Sequence, residues 1–227
     1  MFKKREIKSF VRRQRRLTAH QEKLFSALWP VVGVTLQTQK INLIDLFHRD
    51  VPCICEIGFG HGDTLWPMAK ANPDHNYLGI EVHQPGVAEL LCKIDEEKIH
   101  NIRVIQNDAV IVMRDFILDN SFSRIHIYFS DPWPKKRHHK RRLIQTDFVN
   151  LLIQKLKPNG VLHFATDWED YAQQMMRVLS ACAELKNCAG DNQFADNARL
   201  HLRATTKFEN RGRRLGHDVW DLVFAKR

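Results

Sequence analysis

The chain has 227 residues and a formal net charge of +9, a size that suits one domain burying roughly 70–75% of its unfolded surface. Five cysteines, odd in number and without a Cys-x-x-Cys pair, fit a reducing compartment. The longest apolar run, residues 24–36, is short and broken by Ser26, Pro30 and Gly33, which excludes a membrane span.

The charge is local. Residues 1–16 carry eight Lys/Arg against Glu6 alone, so the rest of the chain is close to neutral. Clustered cations of this kind fit the phosphates of a nucleic acid, and equally a solvated basic tail. No apolar core follows the basic start, so a cytoplasmic protein is expected. Residues 1–50 contain no clear sheet element and read as a basic N-terminal arm with a helical lead-in; a single domain is expected over 51–227.

From residue 51 onward, strand patterns at 51–57, 77–82, 102–106, 125–129 and 161–165 alternate with helical patterns near 64–71, 87–98, 109–118, 143–156 and 171–183. Strands separated by helices of that length pair parallel through right-handed crossovers, which predicts a doubly wound α/β sheet. The end of the chain differs: 200–204 and 219–224 are strand candidates joined by a polar loop without a helix, as in a closing antiparallel pair.

Within the first strand, Cys53 and Cys55 alternate around Ile54 and face one way. No third or fourth ligand stands at zinc-like spacing, so both read as small buried hydrophobes and no metal is expected. The strand runs into Glu56-Ile-Gly58-Phe-Gly60-His-Gly62-Asp63. Glycines there permit a tight turn and close approach of backbone to a ligand. Glu81 ends the second strand, where a carboxylate can accept from ribose hydroxyls. Asp108 ends the third, within reach of an adenine amino group. A nicotinamide site prefers glycine where Asp63 stands, and two carboxylates, Glu56 and Asp63, beside a diphosphate repel it. They suit the sulfonium and α-amino cations of S-adenosylmethionine.

The fourth strand ends in Ser130-Asp131-Pro132-Trp133-Pro134, followed by Lys135, Lys136, Arg137, His138, His139, Lys140, Arg141 and Arg142. Proline restricts the residue before it, so Asp131 is pre-positioned to meet the N1–H and amino edge of guanine or the amino group of another base. Trp133 can stack on a base or simply pack. The cations offer phosphate contacts at the same edge. Asp167 ends the fifth strand on that edge, and Thr206-Lys207-Phe208-Glu209 precedes the last, where it reads either as a nucleotide grip or as a plain surface hairpin. His126 and His163 read as packed mid-strand residues.

Taken together these motifs resemble the bacterial tRNA (guanine-N7)-methyltransferases, which use S-adenosylmethionine and modify a guanine of the variable loop. The likeness runs from Arg12-Arg-Gln-Arg-Arg-Leu-Thr to Asp221; Asp131–Pro134 and Thr206–Glu209 are its specific segments. It implies a seven-stranded Rossmann-like class I methyltransferase sheet with antiparallel final strands. Glu56, Gly58, Gly60, Glu81, Asp108 and Asp131 would hold the cofactor, with Asp131 also catalytic. Lys135, Asp167, Thr206, Lys207, Phe208 and Glu209 would contact the substrate. Arg137, His138, His139, Lys140, Arg141 and Arg142 would lie against tRNA, and monomer and homodimer both remain open. The chemistry is reasonable on its own terms, because guanine N7 carries an in-plane lone pair and no proton, so transfer needs positioning rather than a general base. Three rivals stand beside it: an amino-methyltransferase, a nicotinamide oxidoreductase and an RNA-binding module on an inactive methyltransferase fold.

Overall fold

The computed structural model describes residues 8–10, 16–197, 203, 209 and 218–227. Its centre is a seven-stranded sheet in the order β3-β2-β1-β4-β5-β7-β6. The first five strands, β1 (Cys53–Ile57), β2 (Asn76–Glu81), β3 (Ile102–Gln106), β4 (Phe122–Tyr128) and β5 (Leu156–Thr166), pair in parallel. The central ones are almost wholly buried on both faces, as parallel strands covered by helices must be. The chain order reverses beside β1, so the carboxyl ends of β1, β2 and β4 open a crevice there.

The closing antiparallel pair differs from the sequence expectation. β7 (Trp220–Lys226) pairs antiparallel with β5, and its outer partner is β6 (Leu185–Asn187), three residues too short to show a strand period. The strand expected at 200–204 falls outside the described residues except for Arg203, which lies in a bend.

Helices cover both faces. On one, α5 (Ala109–Ile111), running into a π turn at Val112–Phe116, packs with α6 (Thr146–Lys155) and α7 (Glu169–Ser180) on Cys53, Cys55, Leu78, Ile125, Leu162 and Leu222. On the other, α3 (Leu65–Ala71) and α4 (Gln84–Glu97) pack on Ile54, Tyr77 and Val104. Both β1 cysteines are buried, and burial pushes the Cys53 thiol up to about 12, so they act as small hydrophobes. The lead-in helix α1 (Ala19–Val32) begins at a Thr18–Gln21 capping box and joins the same core: Val32 is buried, and Phe25 and Trp29 stack at 4.8 Å against that cluster. A short helix, α2 (Leu43–Phe47), closes the amino end of the sheet with Leu43 and Phe47. Among the described residues no helix is long and apolar enough to cross a membrane.

Candidate active site

The turn after β1 is shaped by glycines at positive φ: Gly58 at 74° and Gly60 at 56°. An added Cβ on either would meet nothing within 4 Å, so a side chain there would project into open space. Glu81, at the end of β2, braces the turn. One carboxylate oxygen accepts from Gly60 N at 2.9 Å, and the other accepts from Val82 N at 2.6 Å and His83 N at 2.9 Å. Asp108 caps α5 by accepting from Val110 N at 3.0 Å through Oδ1, and it lines the crevice.

Glu56 is the unusual member. Its side chain is buried at the end of β1, where Oε1 accepts a hydrogen bond from Thr64 Oγ1 while Oε2 has no partner. Burial raises its carboxyl to about 7, against the lowering effects of the Thr64 hydrogen bond and the Arg203 charge. A buried carboxylate oxygen without a protein partner costs free energy, and a cationic or hydrogen-bond-donating group beside it would offset that cost. Glu56, Gly58, Gly60, Glu81, Asp108 and Asp131 line one cavity of about 420 Å³, within the range of small-molecule sites.

The opposite rim is the turn after β4. Phe129 and Trp133 both hold positive φ, at 52° and 46°, on either side of Asp131. Bulky residues in the left-handed region carry strain of about 1–3 kcal/mol each, and such strain collects at functional sites. Asp131 itself is exposed at the cavity edge. Trp133 is engaged on several sides: Arg141 lies over its ring at 3.8 Å, His138 meets it edge-on at 5.8 Å, and Nε1 donates to Ser9 O at 2.9 Å. It therefore packs in this structure. Arg141 Nε also donates to Lys8 O at 3.1 Å, and Ser9 and Phe10 line the cavity. Their part in the site is not legible from a basic arm, because a backbone carbonyl as anchor leaves no mark in composition.

The basic run forms a 3-10 turn, Lys136–Arg141, instead of the start of a long α-helix; α6 begins only at Thr146. Lys135, Lys136, Arg137 and Lys140 are exposed, and His138, His139 and Arg141 are half-buried. Arg142 departs from the expected RNA contact. Its side chain is 1% exposed, and its guanidinium donates to Pro132 O at 2.7 Å, Gln174 Oε1 at 2.6 Å and Asp170 Oδ2 at 2.6 Å. A cation consumed by three internal acceptors cannot also grip a phosphate.

Lys135 and Asp167 lie near the carboxyl edge but outside the cavity lining, the first exposed and the second half-buried. Thr206, Lys207 and Phe208 fall outside the described residues. Glu209, expected at the substrate, is instead 1% exposed and accepts from Arg203 Nη1 at 2.5 Å. Arg203 also donates to both oxygens of Asp221, at 2.8 and 3.0 Å, and lies over the Tyr128 and Phe129 rings.

Asp221 Oδ1 meets His163 Nε2 at 2.7 Å, and His163 Nδ1 meets Tyr128 OH at 3.0 Å. Asp221, held below the usual carboxylate range by His163 and Arg203 against its burial, can only accept. Burial keeps His163 neutral, so Nε2–H donates to Asp221 and Nδ1 accepts from the Tyr128 hydroxyl. The signal missed in the sequence is the polar alternation His126/Tyr128 on β4 with His163 on β5 and Asp221 on β7, all on one sheet face. Among the described residues no cluster of His, Cys, Asp or Glu could hold a metal ion.

A family model described as "Putative methyltransferase" matches residues 50–222. A tRNA (guanine-N(7)-)-methyltransferase of Salmonella typhimurium is 49% identical over 98% of this chain and 92% of its own length. One from Alcanivorax borkumensis is 48% identical over 98% and 92%. Among solved structures, the 16S rRNA methyltransferase KamB superposes with a TM-score of 0.60 at 14% identity, covering 86% of this chain and 98% of its own. That likeness concerns the fold, which is the class I methyltransferase sheet.

Proposed function

Since the chain belongs to the tRNA (guanine-N7)-methyltransferase family, we propose a division of labour among its residues for transferring a methyl group from S-adenosylmethionine to N7 of guanine in tRNA. The observation that carries it is the unpartnered Glu56 Oε2 in a cavity whose other rim is the strained Asp131 turn. A set of carboxylates and bare glycine backbone, with no Lys or Arg among the described lining residues, fits a small ligand carrying two positive charges. It does not fit a dinucleotide diphosphate.

In this reading Glu56 receives the cationic part of the cofactor, Glu81 the ribose hydroxyls and Asp108 the adenine amino group. Gly58 and Gly60 let the ligand lie on the main chain. Bound S-adenosylmethionine supplies a methyl group activated by its sulfonium. The chain need not remove a proton, because N7 of guanine has none, so its contribution is positioning and electrostatics. Asp131 orients the guanine through its N1–H and amino edge and stabilises the positive charge that appears on the methylated purine. Arg137, Lys140 and the other exposed cations of the 3-10 turn hold tRNA phosphates beside that rim. We further propose that the target is the variable-loop guanine, that Asp167 and positions 206–208 contact substrate, and that the enzyme works in the cytoplasm as a monomer or homodimer.

The test is methyl transfer from labelled cofactor to two unmodified tRNAs, one with guanine and one with 7-deazaguanine at the variable-loop site. Label entering only the guanine form supports the reading. Equal labelling of both would mean another atom or another nucleotide is the acceptor.

A further inference from the structure

Asp131 sits between two residues that are each tied to the body of the protein by side chains no motif assigns to catalysis. On its amino side, Ser130 Oγ donates to the Tyr171 hydroxyl at 3.3 Å. On its carboxyl side, the Pro132 carbonyl accepts from Arg142 Nε at 2.7 Å. Both anchors rest on α7. Arg142 reaches Gln174 and Asp170 with its other two nitrogens, and its guanidinium lies 4.9 Å over the Tyr171 ring. Tyr171 is fully buried, and its oxygen also accepts from Ile144 N at 3.1 Å. Gln174 in turn donates to Ile144 O at 3.1 Å, so the stack closes on itself.

We propose that Arg142 and Tyr171 are positioning residues for methyl transfer: a buried clamp on α7 that holds the Ser130–Pro132 turn in the geometry in which Asp131 meets the guanine. The proposal rests on the assignment of Asp131 given above. The turn needs a clamp because Phe129 and Trp133 hold left-handed backbone on either side of it. Strain of this kind persists only where the surroundings over-determine it. Proline fixes its own φ and restricts Asp131, and the Ser130 and Pro132 hydrogen bonds tie the turn to the body of the protein. Arg142 does so with a planar fork, one edge on the turn and the other on the helix, which a lysine cannot reproduce with a single ammonium. Arg142 thus belongs to the basic run in sequence only; Lys136, Arg137 and Lys140 face outward while it faces the core.

The experiment compares Arg142→Lys, Tyr171→Phe and Asp131→Asn with the wild-type full chain, using tRNA and S-adenosylmethionine. Single-turnover rates at saturating substrates are read beside the dissociation constants of both ligands and the salt slope of tRNA binding. The expected result is a single-turnover rate at least tenfold lower in both clamp variants, with both dissociation constants within about threefold of wild type and an unchanged salt slope. Tyr171→Phe removes only a hydroxyl, so it reports on the clamp even if the Arg142 variant folds poorly. A normal rate in Tyr171→Phe and Arg142→Lys, with a slow Asp131→Asn, overturns the clamp and leaves the assignment of Asp131 standing. A fast Asp131→Asn overturns that assignment and the clamp with it. A reduced salt slope in Arg142→Lys also overturns the proposal, because it would make Arg142 a phosphate contact. Parallel loss of rate, cofactor affinity and thermal stability does so too, by reducing the pair to a structural role.

Discussion

Glu56→Gln should make the ligand-free protein more stable and the enzyme worse at holding its cofactor. The Glu56 carboxyl is buried at the end of β1 and raised from 4.5 to about 7. A carboxyl raised in the folded state contributes stability that is complete below its unfolded value and is lost as pH climbs through the folded one. A rise from 4.5 to about 7 corresponds to roughly 3 kcal/mol, so the unliganded protein should lose about that much from this group between pH 4.5 and pH 8. Glutamine keeps an acceptor for Thr64 and carries no charge to desolvate. The stability gap between Glu56→Gln and wild type should therefore be about 3 kcal/mol larger at pH 8 than at pH 4.5. At roughly 2–4 °C per kcal/mol for a chain of this size, that is readily seen in thermal unfolding. Calorimetry supplies the other half. Cofactor binding to wild type should release a proton below pH 7 and tighten up to tenfold per pH unit before levelling off. The variant should bind at least tenfold more weakly at pH 8, with little pH dependence. A stability gap that is the same at both pH values, or a cofactor affinity unchanged by the substitution, would refute the argument.

Asp131→Asn should lower the single-turnover rate at least a hundredfold while cofactor affinity, measured by calorimetry, stays within about threefold. Neutralising Arg137, Lys140 and Arg141 together should weaken tRNA binding. Its salt slope should fall by about 0.7–0.9 for each phosphate that the protein no longer neutralises, read from log Kd against log salt concentration. Arg142→Ala belongs to a different class: it leaves the part-buried Pro132 carbonyl and Gln174 Oε1 without their partner, and should cost about 1–3 kcal/mol in chemical denaturation.

The parallel half of the sheet is legible in the sequence because its strands are buried on both faces and end in punctuated turns; β3 falls at the expected 102–106 and the Gly58–Gly62 turn lies where the glycines demand. The acids Glu56, Glu81, Asp108 and Asp131 can be gathered to one edge because parallel strands bring all their carboxyl ends together. What resists is sideways information. β6 is three residues long, and its pairing with β7 is decided by tertiary contact. Arg142 resembles its neighbours in sequence, yet a 3-10 turn, with a tighter residue spacing than an α-helix, precedes it and its side chain faces inward. Glu209 and Asp221 are linked through Arg203, a pairing that no local spacing encodes.

The glycine turn does not keep its shape unaided. Gly86, in the first turn of α4, stands so close beneath it that a Cβ there would lie 2.2 Å from Gly60 O. Helix and turn are thus in backbone contact, and the floor on which a ligand rests is set by how deeply α4 seats against the sheet. Residues such as Val87, Leu90 and Leu91, wholly buried and remote from any reacting atom, govern that seating. The packing of an entire helix thus sets the height of the turn, and substitutions that loosen it should change how tightly the enzyme holds its methyl donor without touching the chemistry.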